Sequence, residues 1–177
     1  MRPVVSDPTA EATMVGPIGG VQCAAVLCAG EPPAVAPVAE AEALGEVYLP
    51  LSWVGYQSLP LLEGTTSELL QHGFGHYTGT VLPGDVGNFA ITGSPTNRDQ
   101  RLSLIAHLRA GNPVLVETAD TWYIYRVLDS PIASRPDSRL LTLTSCPVET
   151  AASPCVTVRA ELEMWRPRSD GWPSRYL

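Results

Sequence analysis

Lysine is absent from the chain: all 11 basic residues are Arg, a bias that reflects a GC-rich genome rather than a function. Basic charge as a whole is scarce. Against 18 acids the net charge is −7 and the isoelectric point is about 4.8, which argues against a general nucleic-acid surface. Long apolar runs are lacking too, and a mean hydropathy of +0.07 excludes a polytopic membrane protein. A wholly disordered chain is equally excluded, since 45% of the residues are hydrophobic. Internal repeats are missing. Aromatic residues are missing from the first 46 positions, which carry one Arg against six acids (Asp7, Glu11, Glu31, Glu40, Glu42, Glu46).

What is present suits one domain of 177 residues. Pro and Gly number 17 and 15, about twice the share a helical bundle carries, so turns are plentiful. Residues 1–46 show no steady period and are punctuated by Pro32, Pro33 and Pro37; they read as a flexible acidic tail. Within them Met14–Gly30 is an uncharged run of 17 residues, short of the roughly 20 that span a bilayer. It contains Pro17 and Gln22 and follows Asp7 and Glu11 rather than a basic stretch. Two readings stay open for it, a mobile tail and a degenerate signal or anchor, so membrane association is left undecided.

From residue 47 the texture changes to short apolar segments bounded by Gly, Pro, Asn or Asp. Val47–Leu51, Asn88–Thr92, Pro113–Glu117, Thr121–Leu128, Arg139–Ser145 and Val156–Met164 read as strands. Ser67–His72 and Leu102–Leu108 read as short helices of about two turns each. The pattern predicts an all-β fold, a closed or nearly closed barrel over 47–164 with one or two short helices, followed by a tail over 165–177. Alternation puts Leu141, Leu143 and Ser145 on one core face, and Val156, Val158, Ala160, Leu162 and Met164 on another. Cys146 and Cys155 then fall on the opposite, polar faces at neighbouring strand ends, an unusual place for free cysteines and an accessible one.

Four blocks carry a family resemblance. They are Gly73-Phe-Gly-His76-Tyr77-Thr-Gly79-Thr80-Val-Leu-Pro83-Gly84, Gly87-Asn88-Phe89-Ala90-Ile91-Thr92-Gly93, residues 116–127 around Trp122-Tyr123-Ile-Tyr125, and Leu140-Leu-Thr142-Leu143-Thr144-Ser-Cys146-Pro147. In this order the chain resembles the actinobacterial class E/F sortases. The resemblance implies an eight-stranded closed barrel in the cell envelope, outside the cytoplasm. It also implies a cysteine transpeptidase that cuts a C-terminal sorting signal, holds it as a thioester and passes it to an amine. The partner implied is the sorting-signal peptide of a surface protein. A monomer is expected, with no nucleic acid, no cofactor and no metal.

The resemblance departs at the catalytic positions. Cys146 stands where the family has its nucleophile. Ser94 stands where the family has its histidine, and Cys155, four residues before Arg159, stands where it has its arginine. A thiol with a pKa of about 8.5 is only a few per cent thiolate at neutral pH, and an imidazole normally carries the protons in both half-reactions. Serine cannot titrate there. Losing one oxyanion donor costs about 3–4 kcal/mol of transition-state stabilisation, and a thiol is only a weak donor. The expectation is a degenerate, catalytically impaired sortase. An atypical transpeptidase or hydrolase using Cys146, or a non-catalytic redox or structural envelope module, are the alternatives.

Substitutes are hard to find. His76 matches a structural position of the family, His72 precedes the glycine-rich turn, His107 lies in a predicted helix, and Arg98 and Arg101 lie on a loop. Arg159 is four residues from Cys155, roughly 13 Å in an extended strand. Gly73-Phe-Gly75 has the wrong context for a phosphate loop, Cys23 and Cys28 lack the second ligand pair of a zinc site, and no carboxylate pair stands out. If the last two strands pair antiparallel, Cys146 and Cys155 are nearly opposite, with Cα atoms about 4.5–5.5 Å apart, within disulfide range. A bridge and a pair of reduced thiols both remain open.

Overall fold

The computed structural model describes residues 30–51, 55–93, 105–129, 136–146 and 155–174. Eight strands form it: β1 (Ala43–Leu51), β2 (Gly55–Glu63), β3 (Phe74–His76), β4 (Gly87–Gly93), β5 (Pro113–Glu117), β6 (Thr121–Val127), β7 (Arg139–Ser145) and β8 (Val156–Pro167). They close into a barrel in the order β1-β2-β3-β4-β7-β8-β6-β5. Closure joins the two outer strands of the sheet, which is how an all-β domain of short strands keeps its exposed edges few. Two pairs are parallel, β2 with β3 and β4 with β7; the rest are antiparallel.

All six predicted strands are present, and β2 and β3 are additional. β2 was hidden by Pro60, which has no N–H to give a ladder. It is tolerated because β2 has β3 as second neighbour only over Leu61–Glu63, so Pro60 falls where one side of the strand is open. The helix expected over Ser67–His72 is only a 3-10 turn at Leu69–Gln71; of the one expected over Leu102–Leu108, residues 105–107 form a 3-10 turn and 102–104 lie outside the described residues.

The interior is filled by Val47, Leu49, Leu61, Phe74, Phe89, Ile91, Leu141 and Leu143, all essentially inaccessible. On β8 the predicted alternation fails at Val156, which is exposed at the strand's free start (37%), holds at Val158, Ala160 and Leu162, and then breaks. The register slips between Ile124 and Tyr125 of β6, leaving Glu163 as the extra residue. Trp165 therefore turns inward to the main core, while Met164 joins Leu115, Trp122 and Ile124 in a second apolar cluster.

Both barrel boundaries differ from those expected. Residues 30–46, expected as part of the acidic tail, belong to the folded body. β1 begins at Ala43, and the segment before it crosses the end of the barrel remote from Cys146. Tyr123 donates its hydroxyl to Pro33 O (2.7 Å) and Trp165 its indole N–H to Gly30 O (3.2 Å). Ala41 N–H donates to Glu63 O, and Glu63 N–H to Glu42 O, both at 2.9 Å. Val35 and Val38 pack on the core. Composition concealed this because a strap uses backbone groups and small side chains, which have no periodicity. At the other terminus β8 continues past 164 to Pro167, and a 3-10 turn over Arg168–Asp170 follows. Trp172 then stands against Tyr48, Tyr56 and Trp122, with ring centroids 5.2–5.4 Å apart.

Gly84 ties the strap end together. Its φ of +85° suits glycine, and a Cβ there would lie 2.3 Å from the Tyr123 ring. Its N–H donates to Tyr125 Oη (2.9 Å), and its carbonyl accepts from Arg139 (3.0 Å). Burial raises the pKa of both tyrosines, Tyr123 to about 12, so both hydroxyls remain neutral, Tyr123 donating to Pro33 O and Tyr125 accepting from Gly84.

Candidate active site

The site is assembled by the register of three strands. β4 and β7 run parallel with Gly93 beside Ser145, and β7 and β8 run antiparallel with Ser145 opposite Val156. One residue beyond each pair, Cys146 and Cys155 face each other across the mouth of the barrel. Their Cα atoms are 4.2 Å apart and the two are joined in a disulfide. Of the two possibilities left open by the sequence, the structure adopts the bridge. Cys146 is half-buried and Cys155 exposed, in keeping with their positions at strand ends. Ser94 follows directly on Gly93 in the sequence but lies outside the described residues, as do Arg98 and Arg101.

Chemically the bridge removes both thiols. A disulfide sulfur can be attacked by a thiolate but has no lone-pair anion with which to attack a carbonyl. Arg159 is exposed and pairs with Thr142, three residue pairs away from the mouth-side end of β7. Between the end of β6 and the start of β8 lies a cavity of about 410 Å³, which reaches β8 at Thr157, Val158 and Arg159. Leu108, Val127 and Val158 line it with apolar surface, and Arg109, Asp129 and Arg159 stand at its rim. That volume lies in the range of small-ligand pockets.

His76 is placed elsewhere, and its surroundings were not foreseen. It pairs with Ile91, two strands from β7, about 14 Å from Cys146 at ordinary strand spacings. The residue is 2% exposed. Nδ1 is 2.6 Å from Glu63 Oε2, and Nε2 is 2.8 Å from Thr80 Oγ1 and 3.2 Å from Val81 O. The second Glu63 oxygen accepts from Thr78 at 2.8 Å. With both ring nitrogens engaged at that distance, His76 serves as a structural brace for the 77–84 turn and not as a base for Cys146. The alternation Leu59, Leu61, Glu63 would have pointed the glutamate inward, had Pro60 not hidden the strand. His72 and His107 are exposed. Among the described residues no group of three or more His, Cys, Asp or Glu side chains is placed to hold a metal.

The closed eight-stranded barrel thus carries a cysteine just past the C-terminal end of β7, beside the end of a parallel β4. The sortase domain model matches residues 54–163, more than half of the chain, and the protein belongs to the sortase family. Sortase SrtE1 of Streptomyces coelicolor is 27% identical over 139 residues, covering 65% of this chain and 40% of that protein; the chain thus spans well under half of that relative. Among solved structures, the SrtA sortase of Actinomyces oris superposes with a TM-score of 0.72 at 31% identity, covering 86% of this chain and 97% of that one. Sortase E1 of S. coelicolor, solved with a tripeptide in its active site, gives 0.62 at 26% identity over 78% of this chain and all of that one.

Proposed function

We propose that this chain is a degenerate sortase of the cell envelope, one that binds the sorting-signal peptide of a surface protein without carrying it through transpeptidation. The observation that supports this reading is the Cys146–Cys155 bridge. It joins the two cysteines that the sequence resemblance aligns with the family's nucleophile and with its arginine. Ser94 at the family's histidine position adds to it, since serine exchanges no proton near neutral pH. Peptide binding is favoured by the likeness to the E1 structure that holds a tripeptide, and by the largely apolar cavity between the end of β6 and the start of β8. An extracytoplasmic location suits the disulfide, because such bonds persist in oxidising compartments. No helix among the described residues is long and apolar enough to cross a membrane.

The test uses the non-reduced chain and fluorescent peptides carrying LPxTG-like and LAxTG-like sorting motifs. Saturable binding with no cleavage and no acyl adduct is expected. Cleavage with a thioester on Cys146 would instead establish the alternative, an atypical transpeptidase or hydrolase. Absence of binding to every motif would leave a redox or structural envelope module.

A further inference from the structure

The two sulfurs of the bridge are not equivalent. Cys155 is exposed and is followed by the exposed Val156 (37%), whereas Cys146 is half-buried and preceded by the buried Ser145 (6%). Thiol–disulfide exchange needs a thiolate to approach in line with the S–S bond, behind the sulfur that it attacks, so access decides which sulfur reacts. On the Cys146 side β4 flanks β7 as far as Gly93, paired with Ser145 one residue before the bridge. On the Cys155 side lies the 410 Å³ cavity between the end of β6 and the start of β8, bordered by Thr157 and Leu128. Among the described residues β6 pairs with β8 only as far as Val127–Ala160, so no described strand flanks Cys155 on that side.

We propose that Cys155 is a thiol-exchange site, the sulfur through which a dithiol reductant opens the bridge, and that Cys146 is the sulfur released. The step balances as follows. A reductant thiolate attacks Cys155 Sγ, a new S–S bond forms between them, and the Cys146–Cys155 bond breaks with its electron pair leaving on Cys146. The second thiol of the reductant then attacks its own sulfur in the mixed disulfide and expels Cys155 as thiolate. Two electrons pass from the reductant, which leaves as a disulfide, and two protons end on the cysteines. Reduction by this order sets free the side chain at the family's nucleophile position first, while Cys155 is still masked. The proposal rests on the bridged state that supports the proposed function, and it adds the chemistry that controls that state.

Glutathione serves as the probe, because a monothiol stalls at the mixed disulfide. The full chain, purified without reductant, is exposed briefly to glutathione, quenched in acid, and its free thiols are blocked with N-ethylmaleimide. Cleavage after Glu149, which lies between the two cysteines, separates them for mass spectrometry. The expected product carries glutathione on Cys155 and maleimide on Cys146, in about fivefold or greater excess over the reverse, as an access difference of this kind gives. Equal labelling, an excess on Cys146, or no adduct on a chain whose bridge is intact would overturn the proposal. A control without glutathione separates the two levels: maleimide on both cysteines there would refute the bridge itself, and with it the reading of the site, rather than the order of exchange.

Discussion

The buried Glu63–His76 pair gives the sharpest prediction about stability. Replacing His76 by Phe keeps an aromatic ring beside Phe89, whose centroid lies 5.4 Å away, but strips Glu63 of the partner at 2.6 Å. The carboxylate, on a residue only 8% exposed, is left with the Thr78 hydroxyl alone, and an uncompensated buried charge of this kind costs about 3–5 kcal/mol. Glu63→Leu removes the charge and leaves one ring nitrogen unpaired, at a cost of about 1–3 kcal/mol. The double variant has neither an orphan charge nor an orphan imidazole. Thr80 still donates to Tyr77 O at 2.9 Å. Its total cost is therefore expected to fall below the sum of the single costs by about 2 kcal/mol or more, the size of coupling found within one polar network. Urea unfolding of the four proteins at neutral pH, with matched slopes, measures it. Additivity within about 0.5 kcal/mol would refute the reasoning and reduce the pair to a geometric coincidence.

The strap makes a second prediction: removing residues 1–42 strips the partners of Tyr123, Trp165 and Glu63, and the melting temperature is expected to fall by several degrees, with an unchanged value contradicting the packed strap. Trp172, 41% exposed, packs its ring against three aromatic neighbours, so Trp172→Ala is expected to cost about 1–2 kcal/mol by loss of apolar burial and aromatic contact, read in the same urea assay; a neutral result would mean that the terminal segment merely rests on the barrel. At alkaline pH, burial holds Tyr123 and Tyr125 protonated in the fold, with Tyr123 raised from 10.0 to about 12. Stability is complete below pH 10, where the unfolded phenols are neutral, and is lost as the pH rises through the folded values. Tyr123→Phe should lessen that alkaline loss, and an identical alkaline slope in the variant would contradict it.

The barrel was legible because period 2 is a strong signal wherever one face is buried, as in Leu141, Leu143 and Ser145. Legibility failed where another constraint overrode the period. Pro60 disguised β2, the extra residue Glu163 reversed the faces of Met164 and Trp165, and the strap of residues 30–42 is held by main-chain bonds that no side-chain pattern reports. At the site, Cys146 and Cys155 were placed on matching faces by alternation alone, but whether their sulfurs join depends on strand pairing and register, which are tertiary facts. The Glu63–His76 brace was hidden for a related reason: its two members lie on parallel strands, 13 residues apart, and neither of those strands was expected.

The state of Cys146 bears most directly on the account. The full chain is prepared from an oxidising compartment, blocked with N-ethylmaleimide without reduction, cleaved after Glu149, and its cysteine peptides are weighed. The account predicts that the peptides containing Cys146 and Cys155 remain linked, two hydrogens lighter than their sum and free of maleimide. Maleimide on Cys146 would show an available nucleophile in the resting protein and contradict it.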